Sequence, residues 1–151
     1  EEKLLETLPR ELVDVAKGFK EYLSVIPESK IAMEVGVSAM HDVTEGGVFG
    51  ALWELGEASG VGITAHLDKI PIKQETIEVC EVFKINPYML ISSGSMMIGC
   101  EKGNLLVEKL EEAGINAAVI GRATEGNDRI VVSRDETRYI GPAGSDELYK
   151  I

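Results

Sequence analysis

Two adjacent glycines, Gly46-Gly47, stand directly ahead of an apolar helical pattern and constrain this 151-residue chain more than any other feature. Val48, Ala51, Leu52, Leu55 and Ala58 recur at helical spacing with Glu54 and Glu57 between them, so the pattern predicts a helix over 46–58. The first turn of a helix has unpaired N–H groups and the positive end of the dipole. Glycines let an anion come close to those groups, where a side chain would stand in the way. Each glycine also costs up to about 1 kcal/mol relative to alanine. Two readings stay open at this point. The run Asp42-Val43-Thr44-Glu45 ahead of the pair introduces a phosphate or carboxylate site, or Asp42 and Glu45 form a capping box with Thr44 as the alternative cap.

Around this motif the periodicities alternate. Leu8, Leu12, Val15, Phe19 and Leu23 predict a helix over 10–24, with Pro9 in its first turn and Pro27 just past its end. A shorter helix is expected over 29–35, broken by Gly36, and Gly60 is a natural left-handed cap for the helix after the glycine pair. Val61, Ile63 and Ala65 alternate with polar or small neighbours as a strand does, and Ile70-Pro71 closes that segment. Helices over 75–83 and 104–113, strands over 96–100 and 116–120, and a hairpin of 129–133 with 137–140 complete the reading. Asn86-Pro87 ends the first of these helices and Gly114 the second. Interleaved strands and helices with a terminal hairpin indicate an α+β fold, a layered mixed β-sheet with flanking helices, in one domain over 1–151.

Charge narrows the partners. Twenty-six acidic against 15 basic residues give a net charge of −11, and the cations are spread along the chain without a cluster. This argues against a nucleic-acid backbone and requires any nucleotide site to use local N–H groups, a metal or another domain. No apolar run has the roughly 18–20 residues a membrane span needs, and the first residues lack the pattern of a secretion signal. The expected setting is cytoplasmic, without membrane contact.

Other candidate chemistry is sparse. Ser92-Ser93-Gly94-Ser95 precedes a predicted strand and can form a small anion nest, or a simple turn. His41 and His66 have no triad spacing with a serine, although His41 adjoins Asp42. Neither a metal-ligand spacing nor a Walker-type loop occurs, so no metal site is expected on this chain. Cys80 and Cys100 read as small buried hydrophobes, and Glu108, Glu111 and Glu112 as a solvated helix face.

The stretch Asp42-Val43-Thr44-Glu45-Gly46-Gly47 resembles the Asp-Pro-Thr-Arg-Gly-Gly signature of the hydrogenase expression/formation family HypE, within the PurM-like (AIR synthase) superfamily. The likeness continues through Leu52-Trp53-Glu54-Leu55, Glu57 to Ile63, Ile70-Pro71-Ile72, Cys80-Glu81, Asn86-Pro87-Tyr88, Ser93-Gly94 and Ala118 to Gly121. It spans nearly the whole chain in the family's order, and selenophosphate synthetases share the Asp-Val-Thr opening.

The resemblance implies a PurM C-terminal-domain-like fold and an ATP- and magnesium-using parent protein. In it, an N-terminal domain supplies the dimer barrel and most nucleotide ligands. The C-terminal domain closes over the phosphates and the substrate. HypE chemistry dehydrates a carbamoyl group on a terminal cysteine, in nickel–iron hydrogenase maturation. Carried onto this sequence, Asp42 and Thr44 take catalytic positions, while Gly46, Gly47, Ser93 and Gly94 line the cofactor. The implied partners are the protein's own N-terminal domain, a homodimer mate and other maturation proteins. No cofactor is expected to bind this chain tightly by itself.

Three departures accompany the likeness. Glu45 stands where the family has arginine, the chain ends Leu148-Tyr149-Lys150-Ile151 without a cysteine, and the N-terminal domain and the opening strand of this domain are expected to lie outside it. A non-catalytic docking module that keeps the fold is the alternative function, and a stand-alone small-molecule sensor a third.

Overall fold

The computed structural model describes residues 1–134 and 136–151. Six α-helices and six strands are found among them: α1 Glu2–Leu5, α2 Arg10–Gly18, α3 Ile26–Val35, β1 Ala39–Asp42, α4 Gly47–Ser59, β2 Gly62–His66, α5 Gln74–Phe83, β3 Met96–Gly99, α6 Gly103–Glu112, β4 Gly121–Thr124, β5 Arg129–Ser133 and β6 Glu136–Tyr139. Short 3-10 turns cover Phe19–Tyr22, Leu67–Lys69, Pro87–Met89 and Glu147–Lys150.

The strands make two sheets. β1 and β3 form an antiparallel pair with Asp42 opposite Met96. The other four lie in the order β4-β2-β5-β6, with β2 and β5 parallel and the remaining neighbours antiparallel. This is the expected α+β architecture of mixed sheet and flanking helices.

Helix α4 lies across the larger sheet because its apolar stripe has nowhere else to go. Leu52 meets Ile63, Ala65 and Val131 in the main core, with Val48, Phe49 and Leu55 packed around them. Full burial of one such aliphatic side chain is worth about 1.5–3 kcal/mol. A second core joins α3 to α6 through Ala32, Leu106 and Leu110.

Several boundaries differ from the sequence expectations. The helix expected over 10–24 stops at Gly18, and Phe19–Tyr22 tightens into a 3-10 turn. Pro27 opens α3 rather than following a longer α2, and α3 starts at Ile26. Helix α5 ends at Phe83 as expected, but left-handed Lys84 at φ 57° stops it rather than Asn86-Pro87. The strand expected over 116–120 is absent, and the ladder begins at Gly121 instead. Residues 115–120 line the same cavity as β3, and their outer edge meets no neighbouring strand among the described residues.

Candidate functional site

Strand β1 delivers the chain to the glycine pair, and β3 begins from the Ser92–Ser95 turn. The β1–β3 ladder therefore brings both loops to one end of the small sheet. The buried Val43 donates its N–H to the Ser95 carbonyl at 2.9 Å. Thr44 accepts the Gly47 N–H at 3.0 Å, so residues 44–47 close a tight turn directly into α4.

Both glycines are left-handed, with φ +80° at Gly46 and +61° at Gly47. A Cβ on Gly47 would fall 2.6 Å from the Leu90 carbonyl oxygen and 2.7 Å from that of Tyr88. One on Gly46 would fall 2.9 Å from the Ala143 methyl. The glycines are thus required by backbone conformation and by close packing against two other segments.

The carboxylate at the start of α4 comes from the far end of the chain. Gly46 donates its N–H to Asp146 Oδ2 at 2.7 Å, while Leu148 N–H donates to Asp146 Oδ1 at 2.8 Å. Beside it Glu147 Oε2 accepts the Asn86 N–H at 3.2 Å, and its other oxygen pairs with Lys150. Asp146 and Glu147 are only 3% and 4% exposed. The Lys150 ammonium holds the Glu147 carboxyl below the usual glutamate range, aided by the Asn86 amide and opposed by burial. Burial, with Glu147 nearby, pushes the Cys80 thiol up and keeps it a packing residue. Next to the glycine turn lies a cavity of about 430 Å³, bounded by Gly46, Asn86, Arg138 and Pro142 and by Phe49 stacked on Tyr88 at 5.5 Å.

The structure places the sequence-predicted residues in two groups. Asp42, Thr44 and Ser93 are exposed, at the loop end of the β1–β3 ladder. Gly46 and Gly47 are buried, and the amides assigned to an anion are already bonded to Asp146 and to Thr44. Gly94 is half-buried and left-handed, and its α-carbon packs on the Tyr22 carbonyl. The capping-box reading is corrected: Gly46 is the cap residue and no side chain of its own segment bonds the helix start. Glu45 is exposed. His41 is held by Glu54 of α4 at 2.7 Å, and stands 3.8 Å from Asp42. That arrangement links β1 to α4 and presents no nucleophile to a base.

Sequence reasoning missed Asp146 and Glu147. Their only local signature is an acid directly ahead of a short turn, and the partner amides lie 100 and 61 residues away. Among the described residues no three His, Cys, Asp or Glu side chains are grouped to hold a metal ion, and no helix is long and apolar enough to cross a membrane.

Comparison with known proteins places this geometry. The chain is 33% identical over 134 residues to a putative hydrogenase expression/formation protein of Methanocaldococcus jannaschii, covering 83% of the chain and 39% of that relative. It is 28% identical over 97 residues to carbamoyl dehydratase HypE of Rhodobacter capsulatus, covering 62% and 28% respectively. To the PurL subunit of phosphoribosylformylglycinamidine synthase of Corynebacterium aurimucosum it is 29% identical over 93 residues, or 62% of the chain and 11% of that protein. The chain thus spans two fifths or less of these relatives.

Among solved structures, HypE in a HypE–HypF complex superimposes with a TM-score of 0.70 at 24% identity, over 78% of the chain and 41% of that protein. HypE in complex with ATP gives 0.69 at 19% identity, over 81% and 40%. These likenesses show the fold. Residues 2–133 match the family described as AIR synthase related protein, C-terminal domain. That match takes in the glycine turn, the serine loop and the core beneath them, and it establishes that the chain belongs to the AIR synthase-related C-terminal domain family.

Proposed function

We propose that residues 1–151 act as the C-terminal domain of a HypE-like, ATP-dependent maturation enzyme, closing over nucleotide phosphates and substrate in nickel–iron hydrogenase maturation. The observation that carries this reading is the β1–β3 ladder, which sets the Asp42–Thr44 loop beside the Ser92–Ser95 turn. Sequence relatives named for hydrogenase maturation and an ATP-bound HypE of the same fold support it.

The residues present fit a magnesium–phosphate group in part. Thr44 and Ser93 offer exposed hydroxyls for phosphate oxygens, and Asp42 an exposed carboxylate for a water on magnesium. Gly46 offers an amide only when Asp146 withdraws, and Gly47 shapes the turn while its amide stays on Thr44. ATP supplies the phosphoryl group, and this chain's part is positioning and charge stabilisation. A net charge of −11 leaves the remaining cations to the N-terminal domain and its homodimer mate, in the cytoplasm, with other maturation proteins docking on the assembly.

Thr44→Val and Ser93→Ala in the full-length protein test this. Each should lower kcat for ATP turnover by about 10–100-fold with little change in melting temperature. Calorimetry of the 151-residue chain with magnesium and ATP should show no sub-micromolar binding. Unchanged turnover in both variants would favour the second reading, a protein-docking module that keeps the fold. The occupied Gly46 amide and the outward Glu45 speak for that module.

A further inference from the structure

His41 stands between two carboxylates, one on α4 and one in the candidate site. Along β1 it lies on the half-buried side of the strand and Asp42 on the exposed side. Its Nε2 meets Glu54 Oε2, midway along α4, at 2.7 Å. A carboxylate accepts and does not donate, so Nε2 carries the proton. In the neutral ring the other nitrogen, Nδ1, is then an acceptor. It stands 3.8 Å from Asp42 Oδ1, beyond hydrogen-bond reach, and no hydrogen bond to it is found among the described residues.

Two acceptors at this separation fit one bridging donor. A water about 2.8 Å from each gives one proton to Nδ1 and the other to Asp42 Oδ1. With both protons turned to the protein, its lone pairs are free for a cation, and magnesium keeps several of its waters when it binds a protein. Both groups are open to such a water, the His41 side chain being 27% exposed and that of Asp42 62%. Glu54 fixes the ring's tautomer and direction, as a carboxylate behind a histidine does in metal sites. It lies two residues from Leu52, which is buried against the main sheet, so the ring is tied to the rigid part of the domain. A tie between β1 and α4 uses Nε2 alone. Nδ1, facing Asp42, is the atom that such a tie leaves idle.

We propose, on the magnesium–phosphate reading given above, that His41 is a positioning residue for that site. Its Nδ1 and the Asp42 carboxylate together orient one water of a hydrated magnesium ion. Glu54 holds the ring in the tautomer that leaves Nδ1 free to accept, and so orders the site from outside its loops.

Nitrogen-15 spectra of the histidine rings in the full-length protein test this, with His41→Gln assigning the signal. His41 should show a protonated Nε2 and a bare Nδ1. The Nδ1 signal should move when magnesium is added to the ADP-bound protein, and not when ADP is added alone. A proton on Nδ1, or a signal indifferent to magnesium, overturns the proposal. Turnover gives a second readout. His41→Gln keeps an amide N–H near the Nε2 position for Glu54 but has no acceptor at Nδ1. It should raise the magnesium concentration for half-maximal ATP turnover by about 10-fold, a larger change than in kcat, with little change in melting temperature. A lowered melting temperature with unchanged magnesium dependence makes His41 a structural tie and overturns the proposal. The wild-type spectra decide alone if the variant misfolds. Thr44→Val and Ser93→Ala keep the two failures apart. Lowered kcat in those variants beside a wild-type magnesium dependence in His41→Gln removes the role of His41 alone, whereas unchanged turnover in them removes the reading beneath it.

Discussion

The glycine turn at the start of α4 and the space between β3 and β4 face the same physical demand and meet it in opposite ways. Each leaves backbone groups without a partner from regular structure. At the glycine turn the demand is met within the chain, where Asp146 takes the Gly46 amide and Glu147 the Asn86 amide. Between β3 and β4 it is not: among the described residues the facing edges pair with no strand and Glu28 Oε2 has no hydrogen-bond partner. The first region is therefore closed by side chains of the chain itself, and the second leaves two strand edges unpaired among the described residues.

The sharpest way to break the closed region is Gly47→Ala. The methyl would meet the Tyr88 and Leu90 carbonyls from a left-handed backbone, so conformational strain and overpacking add to a loss of about 2–5 kcal/mol. Gly114→Ala is the control: it is also left-handed, at φ +77°, but has nothing within 4 Å, and should cost only about 1–2 kcal/mol. Denaturant melts of the two variants give the difference directly. Equal losses would mean that the Tyr88–Leu90 segment yields, and that the glycine turn is not fixed by packing.

Asp146→Ala comes next in size. It leaves the buried Gly46 N–H without its acceptor, at about 1–3 kcal/mol. Inorganic phosphate should restore part of that loss in the variant and do little for the wild type, since an anion that binds only the folded state stabilises it by mass action. Thermal melts with and without millimolar phosphate read this out. A loss that phosphate leaves untouched would make Asp146 a structural cap alone.

Glu147 gives a smaller effect with a defined pH dependence. Its folded pKa lies below the ordinary glutamate value, so it contributes stability above that ordinary value and loses it as pH falls through the lowered one. Glu147→Gln should therefore melt below wild type at neutral pH, and the gap should close in acid beneath the usual glutamate range. A gap that persists there would assign the contribution to shape rather than charge.

How much of this was legible in the sequence follows the range of each interaction. Helix α4, its Gly60 cap, β2 and the β5–β6 hairpin depend on local periodicity and turn residues, and they stand close to where the pattern puts them. The glycine pair was legible as a demand on the backbone, but its two contacts, with Ala143 and with Tyr88–Leu90, lie 97 and about 40 residues away. Asp42, Thr44 and Ser93 were identifiable by residue type and by family likeness, and the ladder that brings their loops together is a tertiary fact. The strand expected over 116–120 shows the limit from the other side. Its residues have the right pattern, yet a strand needs a neighbour, and the adjoining edge of β3 stands across an unfilled space.

The smallest expected change in stability, and the finest test of the contrast, is Glu45→Arg. Glu45 is exposed at the turn and caps nothing, so its substitution should move stability by no more than about 0.5 kcal/mol. Its charge still lies next to the Gly46 amide. A carboxylate 4 Å from a phosphate opposes it by about 4 kcal/mol at an effective dielectric of 20, and solvent screening reduces that sharply at an exposed position. Reversing the sign should strengthen phosphate-analogue binding at the turn, most visibly at low salt and in the Asp146→Ala background, where the amide is released. Paired melts and titrations separate the outcomes. Stronger binding with unchanged melting supports an anion site whose affinity is held down by Glu45 and by Asp146. Unchanged binding in both backgrounds would leave the glycine turn as packing alone and move the docking-module reading ahead, because a closed turn with an outward acid then has only its surface to offer a partner.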